Sequence, residues 1–175
     1  MGRNARTICY LLVGAVAAIL PGCARHPSSI AESGSAELAI AGRPAPLWEA
    51  PTTSGGTLTL LSLRGKAVYL NFFASWCPPC NEEAPDINAL QKHYASRGLR
   101  VVGVDIMENA GKAASFAAMH HLVYPVIVDG GILRRQYRVN GLPVHVFIDR
   151  NGTVRRIQVG EPSKAEMESA IKSIL

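Results

Sequence analysis

Residues 76–80 read Trp-Cys-Pro-Pro-Cys. Two thiols separated by two residues can close on each other, and the pair can then exchange its disulfide with another protein. The reactive form is the thiolate, so the chemistry depends on what surrounds the sulfurs. At the start of a helix a thiol meets the positive end of the backbone dipole and several unpaired N–H groups. Both favour the ionised sulfur. A second thiol three residues on lies about one turn further along the same face.

The flanking sequence supplies that setting. Ala67–Phe73 is an apolar run broken by one Asn and reads as a buried strand. Pro78–Arg97 has helical spacing through Ala84, Ile87, Leu90 and Tyr94, with Gly98 as its stop. Thr57–Leu60 alternates as a short strand, and Leu61–Lys66 reads as a turn. Leu99–Val104 is a second buried strand, Gly111–His121 an Ala-rich helix, Tyr124–Val128 a short strand and Ile132–Tyr137 a short helix. Val144–Ile148 and Thr153–Val159 flank Asp149-Arg150-Asn151-Gly152, a hairpin signal. Ser163, with Glu166 three residues on, opens a final helix through a capping box. Strand–helix–strand, then a hairpin, then a helix predicts an α/β fold with a mixed sheet and helices on both faces.

The N-terminus predicts export. Met1–Arg6 carries two arginines and no acid, and Thr7–Leu20 is a 14-residue apolar run. Such a run is shorter than the ~20 residues that span a bilayer comfortably and reads as a signal peptide over residues 1–22. Leu20, Gly22 and Cys23 match the lipobox of bacterial lipoproteins, and Pro21 departs from it. Cys23 is the candidate lipidation site, which would anchor the chain to a membrane. An ordinary cleaved signal or a retained anchor would also export the domain. Residues 23–41, rich in Ala, Ser and Gly, read as a flexible tether, and residues 42–175 as the folded domain. Cys9 lies within the apolar leader, so Cys77 and Cys80 are the one pair left for the domain. An exported domain with a single close pair is not a disulfide-stapled scaffold.

Apolar residues make up 48% and charged residues 18%, which excludes a largely disordered chain. Net charge is +5, and without Arg3 and Arg6 it falls to +3, with 16 basic residues against 13 acidic. Arg134, Arg135 and Arg138, and Arg155 with Arg156, read as solvated faces, and no nucleic-acid partner is expected.

Phe72–Cys80, with Glu83 and Pro85 after it, resembles the active site of the TlpA/ResA-like branch of thioredoxin-fold proteins. The likeness extends in order through Ala45-Pro46, Leu60–Lys66, Tyr124–Asp129 and Tyr137–Asp149, from about Pro44 to the end. It implies a thioredoxin-like fold and a thiol–disulfide oxidoreductase with no soluble cofactor. Cys77 is then the attacking thiol, exposed at the helix start, and Cys80 the more buried resolving thiol. Pro78 and Pro79 stiffen the first turn, where missing N–H groups forfeit no helix hydrogen bond. Trp76 covers the edge of the site. Pro143 aligns with the fold's cis-proline, opposite the cysteines, where the preceding residue, here Leu142, faces an extended partner. The family often has Thr at that position. Trp76, Pro78, Pro79, Leu142 and Pro143 form the expected substrate-binding surface. Asn71 lies where thioredoxin has a buried acid, and Asn cannot accept a proton. Glu83, on the Cys80 face of the helix, can. Glu82 reads as a dipole-complementing residue of the first turn.

The resemblance further implies reduction of disulfides in exported proteins, such as apocytochromes c or copper-site proteins, with a membrane protein as electron donor. An oxidant or isomerase on the same fold remains open. So does a copper(I)-binding assembly module, since two thiolates suit that ion. Structural zinc needs four ligands, and adjacent His120 and His121 point apart on a helix, so no metal site is expected. A peroxidase of this fold would carry Pro and Thr where Leu70 and Ala74 stand.

Overall fold

The structure is a computed structural model and describes residues 38–175. The expected signal peptide, Cys23 and most of the expected tether lie outside the described residues. Packing begins before Gly42: Ala39 is buried, and its N–H donates to the Gln136 carbonyl at 2.8 Å. Among the described residues no helix is long and apolar enough to cross a membrane.

Among the described residues, seven strands and four α-helices follow in the order β1 (Glu49–Pro51), β2 (Thr57–Thr59), β3 (Ala67–Phe73), α1 (Pro78–Tyr94), β4 (Leu99–Ile106), α2 (Ala110–Met119), β5 (Val126–Asp129), α3 (Ile132–Gln136), β6 (Val144–Ile148), β7 (Val154–Val159) and α4 (Lys164–Lys172). Strands β1 and β2 form a small antiparallel hairpin. The main sheet has the order β5-β4-β3-β6-β7. Its β3–β4 and β4–β5 pairs are parallel, while β3–β6 and β6–β7 are antiparallel. This is the mixed sheet the sequence predicts.

Side-chain alternation sorts the sheet's two faces. Val68, Leu70 and Phe72 of β3 join Val144, Val146 and Ile148 of β6 in one cluster, covered by Leu133 of α3 and by Trp48 and Ala50 at the N-terminal hairpin. Tyr69 and Phe147 face the other way, against Ile87 and Leu90 of α1 and Met167 and Ile171 of α4. Each large apolar side chain so buried contributes about 1.5–3 kcal/mol. By the same parity, Asn71 and His145 point to the α1 side. They are direct cross-strand partners in the β3–β6 register.

Several boundaries differ from expectation. Helix α1 ends at Tyr94, and Ala95–Arg97 tighten into a 3₁₀ turn before Gly98, whose left-handed φ of 92° ends the run. Strand β1 was not expected: Ala50-Pro51 carries no strand period and is ordered by pairing with β2. Glu82 is not in the first turn of α1, which holds no acidic residue.

Candidate active site: a dithiol at the head of a helix

Strand β3 ends at Phe73, and α1 starts five residues later at Pro78. Cys77 is the residue before the helix, with extended φ and ψ of −85° and 110°. Its Sγ accepts the Cys80 N–H at 3.3 Å. Pro78 and Pro79 occupy the first two helical positions and bring no N–H. Cys77 and Cys80 are joined in a disulfide, with 5.3 Å between their Cα atoms.

Neighbouring side chains fix the loop that carries the disulfide. Asn81 Nδ2 donates to the Ser75 and Cys77 carbonyls at 3.1 and 2.8 Å. Asn81 Oδ1 accepts from His120 Nε2 at 2.9 Å. From the other side, the Ser75 N–H and hydroxyl donate to the two Glu108 carboxylate oxygens at 2.5 and 2.8 Å. Behind the loop, the Phe73 ring stacks on Phe116 of α2 at 4.3 Å between centroids. Phe73 and Phe116 share one apolar cluster with Cys77, Cys80 and Ala84.

A groove of about 310 Å³ opens on the disulfide, lined by Trp76, Cys77, Pro78, Pro79, Met107 and Leu142 among others. Trp76 is 60% exposed and Met107 66%, so the rim is apolar. The Leu142–Pro143 peptide is cis, and Pro143 is buried beside Leu142. The groove thus brings together Trp76, Pro78, Pro79 and Leu142 from the expected surface.

One expectation is corrected. In this oxidised form Cys77 is 3% exposed, not open to solvent, and Cys80 is 2% exposed. Cys77 packs in an apolar cluster with Phe116 and Val126 and with the partly buried Leu142, all distant in the chain, so no local pattern around Cys77 reveals its burial. The two sulfurs still differ, because Cys77 lines the groove and Cys80 does not.

Glu83 lies one turn beyond Cys80 and is buried. Its Oε1 accepts from Asn71 Nδ2 at 2.8 Å. Its Oε2 stands 3.4 Å from His145 Nε2. Burial pushes the Glu83 carboxyl up to about 8, with the Asn71 bond opposing. His145 is fully buried, and that burial drives its imidazole down to about 4. The Gly160 carbonyl lies 3.0 Å from His145 Nε2, so that nitrogen carries the proton. Nδ1 then accepts the Tyr69 hydroxyl at 2.8 Å. Sequence reasoning missed His145. The signal available was a polar residue at an inward position of a buried strand.

A second carboxyl pair sits under the loop. Asp105, at the end of β4, is fully buried with neither oxygen partnered as a simple acceptor. Burial and the neighbouring Glu108 push it up to about 7. A protonated Asp105 donates to Glu108, which explains both observations. Burial also raises Glu108, but the bonds from Ser75 and Asp105 outweigh it and hold that carboxyl below its usual range.

A strand-to-helix dithiol, one sulfur facing a groove and the other interior, with a buried carboxyl one turn on, is a thiol–disulfide exchange centre on a thioredoxin fold. Comparisons with known proteins agree. The chain is 33% identical over 134 residues to the thiol-disulfide oxidoreductase ResA of Bacillus thuringiensis subsp. konkukian, covering 76% of this chain and 78% of that one. It is 35% identical over 133 residues to the thioredoxin-like protein YneN of Bacillus subtilis, covering 74% and 78%. A crystal structure of a thiol:disulfide interchange protein from Chlorobium tepidum aligns with a TM-score of 0.71 at 35% identity, covering 75% of this chain and 95% of that one. The chain belongs to the AhpC/TSA family, whose model matches residues 41–157, and within it is a thiol–disulfide oxidoreductase of the ResA type.

Proposed function

We propose that the chain is an exported protein-disulfide reductase that passes two electrons from the Cys77–Cys80 dithiol to disulfides in other exported proteins, apocytochromes c and copper-site proteins among them. The carrying observation is the asymmetry of the pair: Cys77 meets the groove, and Cys80 lies inside, one helical turn before the buried Glu83. The Cys77 thiolate attacks one sulfur of the partner's disulfide, and the other partner sulfur leaves and takes a proton. In molecules whose Glu83 is ionised, that carboxylate takes the proton from Cys80, which then attacks Cys77 Sγ. The partner's second sulfur departs, and the chain is left oxidised. A carboxyl held at about 8 is matched to an ordinary thiol near 8.5, which suits proton exchange between them. Trp76, Pro78, Pro79 and Leu142 receive the partner, and Pro143 holds Leu142 in place.

The reductive direction has a physical support. A strongly oxidising dithiol owes its potential to a stabilised reduced form. Here Pro78 and Pro79 remove two N–H groups that would otherwise help to stabilise a Cys77 thiolate. The Arg3–Arg6 leader and the Thr7–Leu20 run support export, and Cys23 supports tethering by lipid. A membrane protein then recharges Cys77–Cys80 by the same exchange in reverse. The two sulfurs need no cofactor.

Equilibration with glutathione tests the direction. A potential below about −200 mV is expected, and one above about −150 mV would overturn the reductase reading. Insulin-type disulfide reduction, run beside a Cu(I) titration, tests the chemistry; tight Cu(I) binding without reduction would replace the enzyme with a copper module. Cys80→Ser should strand partners on Cys77 as mixed disulfides, which identifies them by mass.

A further inference from the structure

A basic flank adjoins the redox groove. Arg134 lines the groove and also a neighbouring cavity of about 490 Å³, whose wall includes Arg135 and Arg138. Val139 and Asn140 line both, so the two spaces share a wall. The three arginines are exposed. Among the described residues, no carboxylate lies within 4.0 Å of their guanidinium groups. The adjacent acid, Asp129, is occupied otherwise: Oδ1 accepts the Leu133 N–H at 3.0 Å and Oδ2 the Arg134 N–H at 2.8 Å.

Arg138 adds a second, independent observation. It sits just past α3 with φ 52°, and the Val139 N–H closes the turn on the Arg134 carbonyl at 2.9 Å. That left-handed position favours Gly. The chain carries a long cation there, at a conformational cost that Gly would avoid.

We infer that this flank selects the partner: the groove takes an extended segment of a disulfide-bearing protein with an Asp or Glu a few residues from the target cysteine, on the α3 side. The inference rests on the reductase reading above and names its substrate class. The rim at Trp76 and Met107 is apolar, so charge discrimination falls to Arg134, Arg135 and Arg138. Guanidinium forks match carboxylates in geometry as well as sign. An anionic membrane is the less favoured occupant, because the arginines share a wall with the groove that opens on Cys77.

The test uses the full chain, reduced, and three disulfide-bridged peptides alike except for Glu, Gln or Lys beside one cysteine. At low ionic strength the Glu peptide should be reduced about tenfold faster than the Lys peptide, and the ratio should shrink in 0.5 M salt. Arg138→Gly, which suits the backbone, combined with Arg135→Gln should lower the Glu:Lys ratio by about threefold, with Arg134 alone remaining. Being a ratio, it is insensitive to any loss of folded protein. Equal rates in the wild type, or a ratio unmoved by the double substitution, would overturn the inference. So would equal rates accompanied by arginine-dependent binding to phosphatidylglycerol vesicles, which would assign the flank to lipid. If the Gln peptide were left unreduced, the reductase reading would fall instead, and competition binding of the Glu and Lys peptides would still decide the flank.

Discussion

Glu83 Oε2 stands 3.4 Å from His145 Nε2, with both side chains buried on the α1 face of the sheet. Residue 83 comes from the redox helix and residue 145 from the strand after the cis-proline. Burial keeps the carboxyl protonated and the imidazole neutral near pH 7. The pair is thus uncharged when the disulfide is closed. It can accept one negative charge when Glu83 ionises, with Asn71 Nδ2 already donating to Oε1.

Glu83→Gln keeps an acceptor for Asn71 Nδ2 and removes the proton site. Release of a mixed disulfide from Cys77, followed in single turnover, should slow by about 100-fold, the lower end for a positioned proton acceptor. The wild-type profile should carry an inflection near pH 8 that the variant lacks. An identical profile in both proteins would remove Glu83 from the mechanism.

Stability of the oxidised protein should have two opposed slopes. The raised Glu83 means that the folded state holds its proton longer, so stability falls as pH rises from about 4.5 through 8. The lowered His145 means that the unfolded state takes the proton first, so stability falls as pH drops from about 6.5 through 4. Each tenfold difference in proton affinity between the folded and unfolded chain is worth about 1.4 kcal/mol at most. In denaturant melts across pH 4–9, Glu83→Gln should flatten the alkaline limb and His145→Gln the acid limb. Limbs unchanged in these variants would show that other groups set the profile.

The Ser75–Glu108 bonds should be visible as amide protection. Glu108→Gln should raise the Ser75 amide exchange rate by about tenfold, given that a hydrogen bond to a charged group is worth about 1.5–3 kcal/mol. Asp105→Asn should remove the stability loss that accompanies Asp105 ionisation as pH rises through about 7. A Ser75 exchange rate insensitive to residue 108 would mean that the loop is held by Asn81 alone.

Gly103 faces the ring that backs the disulfide. A Cβ there would lie 3.1 Å from Phe73 Cε1 and 3.1 Å from Val126 Cγ2. Gly103→Ala should cost about 1–3 kcal/mol through overpacking, and urea melts would measure it. A neutral effect would show that the Phe73–Phe116 stack can move aside.

Much of this architecture was legible in the sequence because its signals are local. The apolar run of β3 meeting Pro78 and Pro79 marks the strand-to-helix junction, and Asn151-Gly152 marks the β6–β7 hairpin. Ser163 and Glu166 form the full capping box that their spacing predicts. What escaped depends on contacts between distant residues. Asn71 and Glu83 were singled out individually, yet nothing short of the β3–β6 register reveals that His145 completes their cluster. The burial of Cys77 likewise depends on chain-distant Phe116, Val126 and Leu142. Asp105 and Glu108 escaped because a strand end and the following loop offer no period to read.

The sheet's two outer strands are both guarded. The Thr53 N–H donates to Val126 of β5 at 2.9 Å, and Thr52 bridges Ile127. On the opposite side β7 presents exposed Arg155 and Arg156, with Pro44 bridged to Thr153 just ahead of it. Charged side chains and covered margins discourage strand addition. A protein that handles clients with unfinished disulfides meets polypeptide whose backbone is hungry for partners. If the proposed reductase reading holds, such a client would meet two guarded margins here, leaving the sulfur end as its landing place.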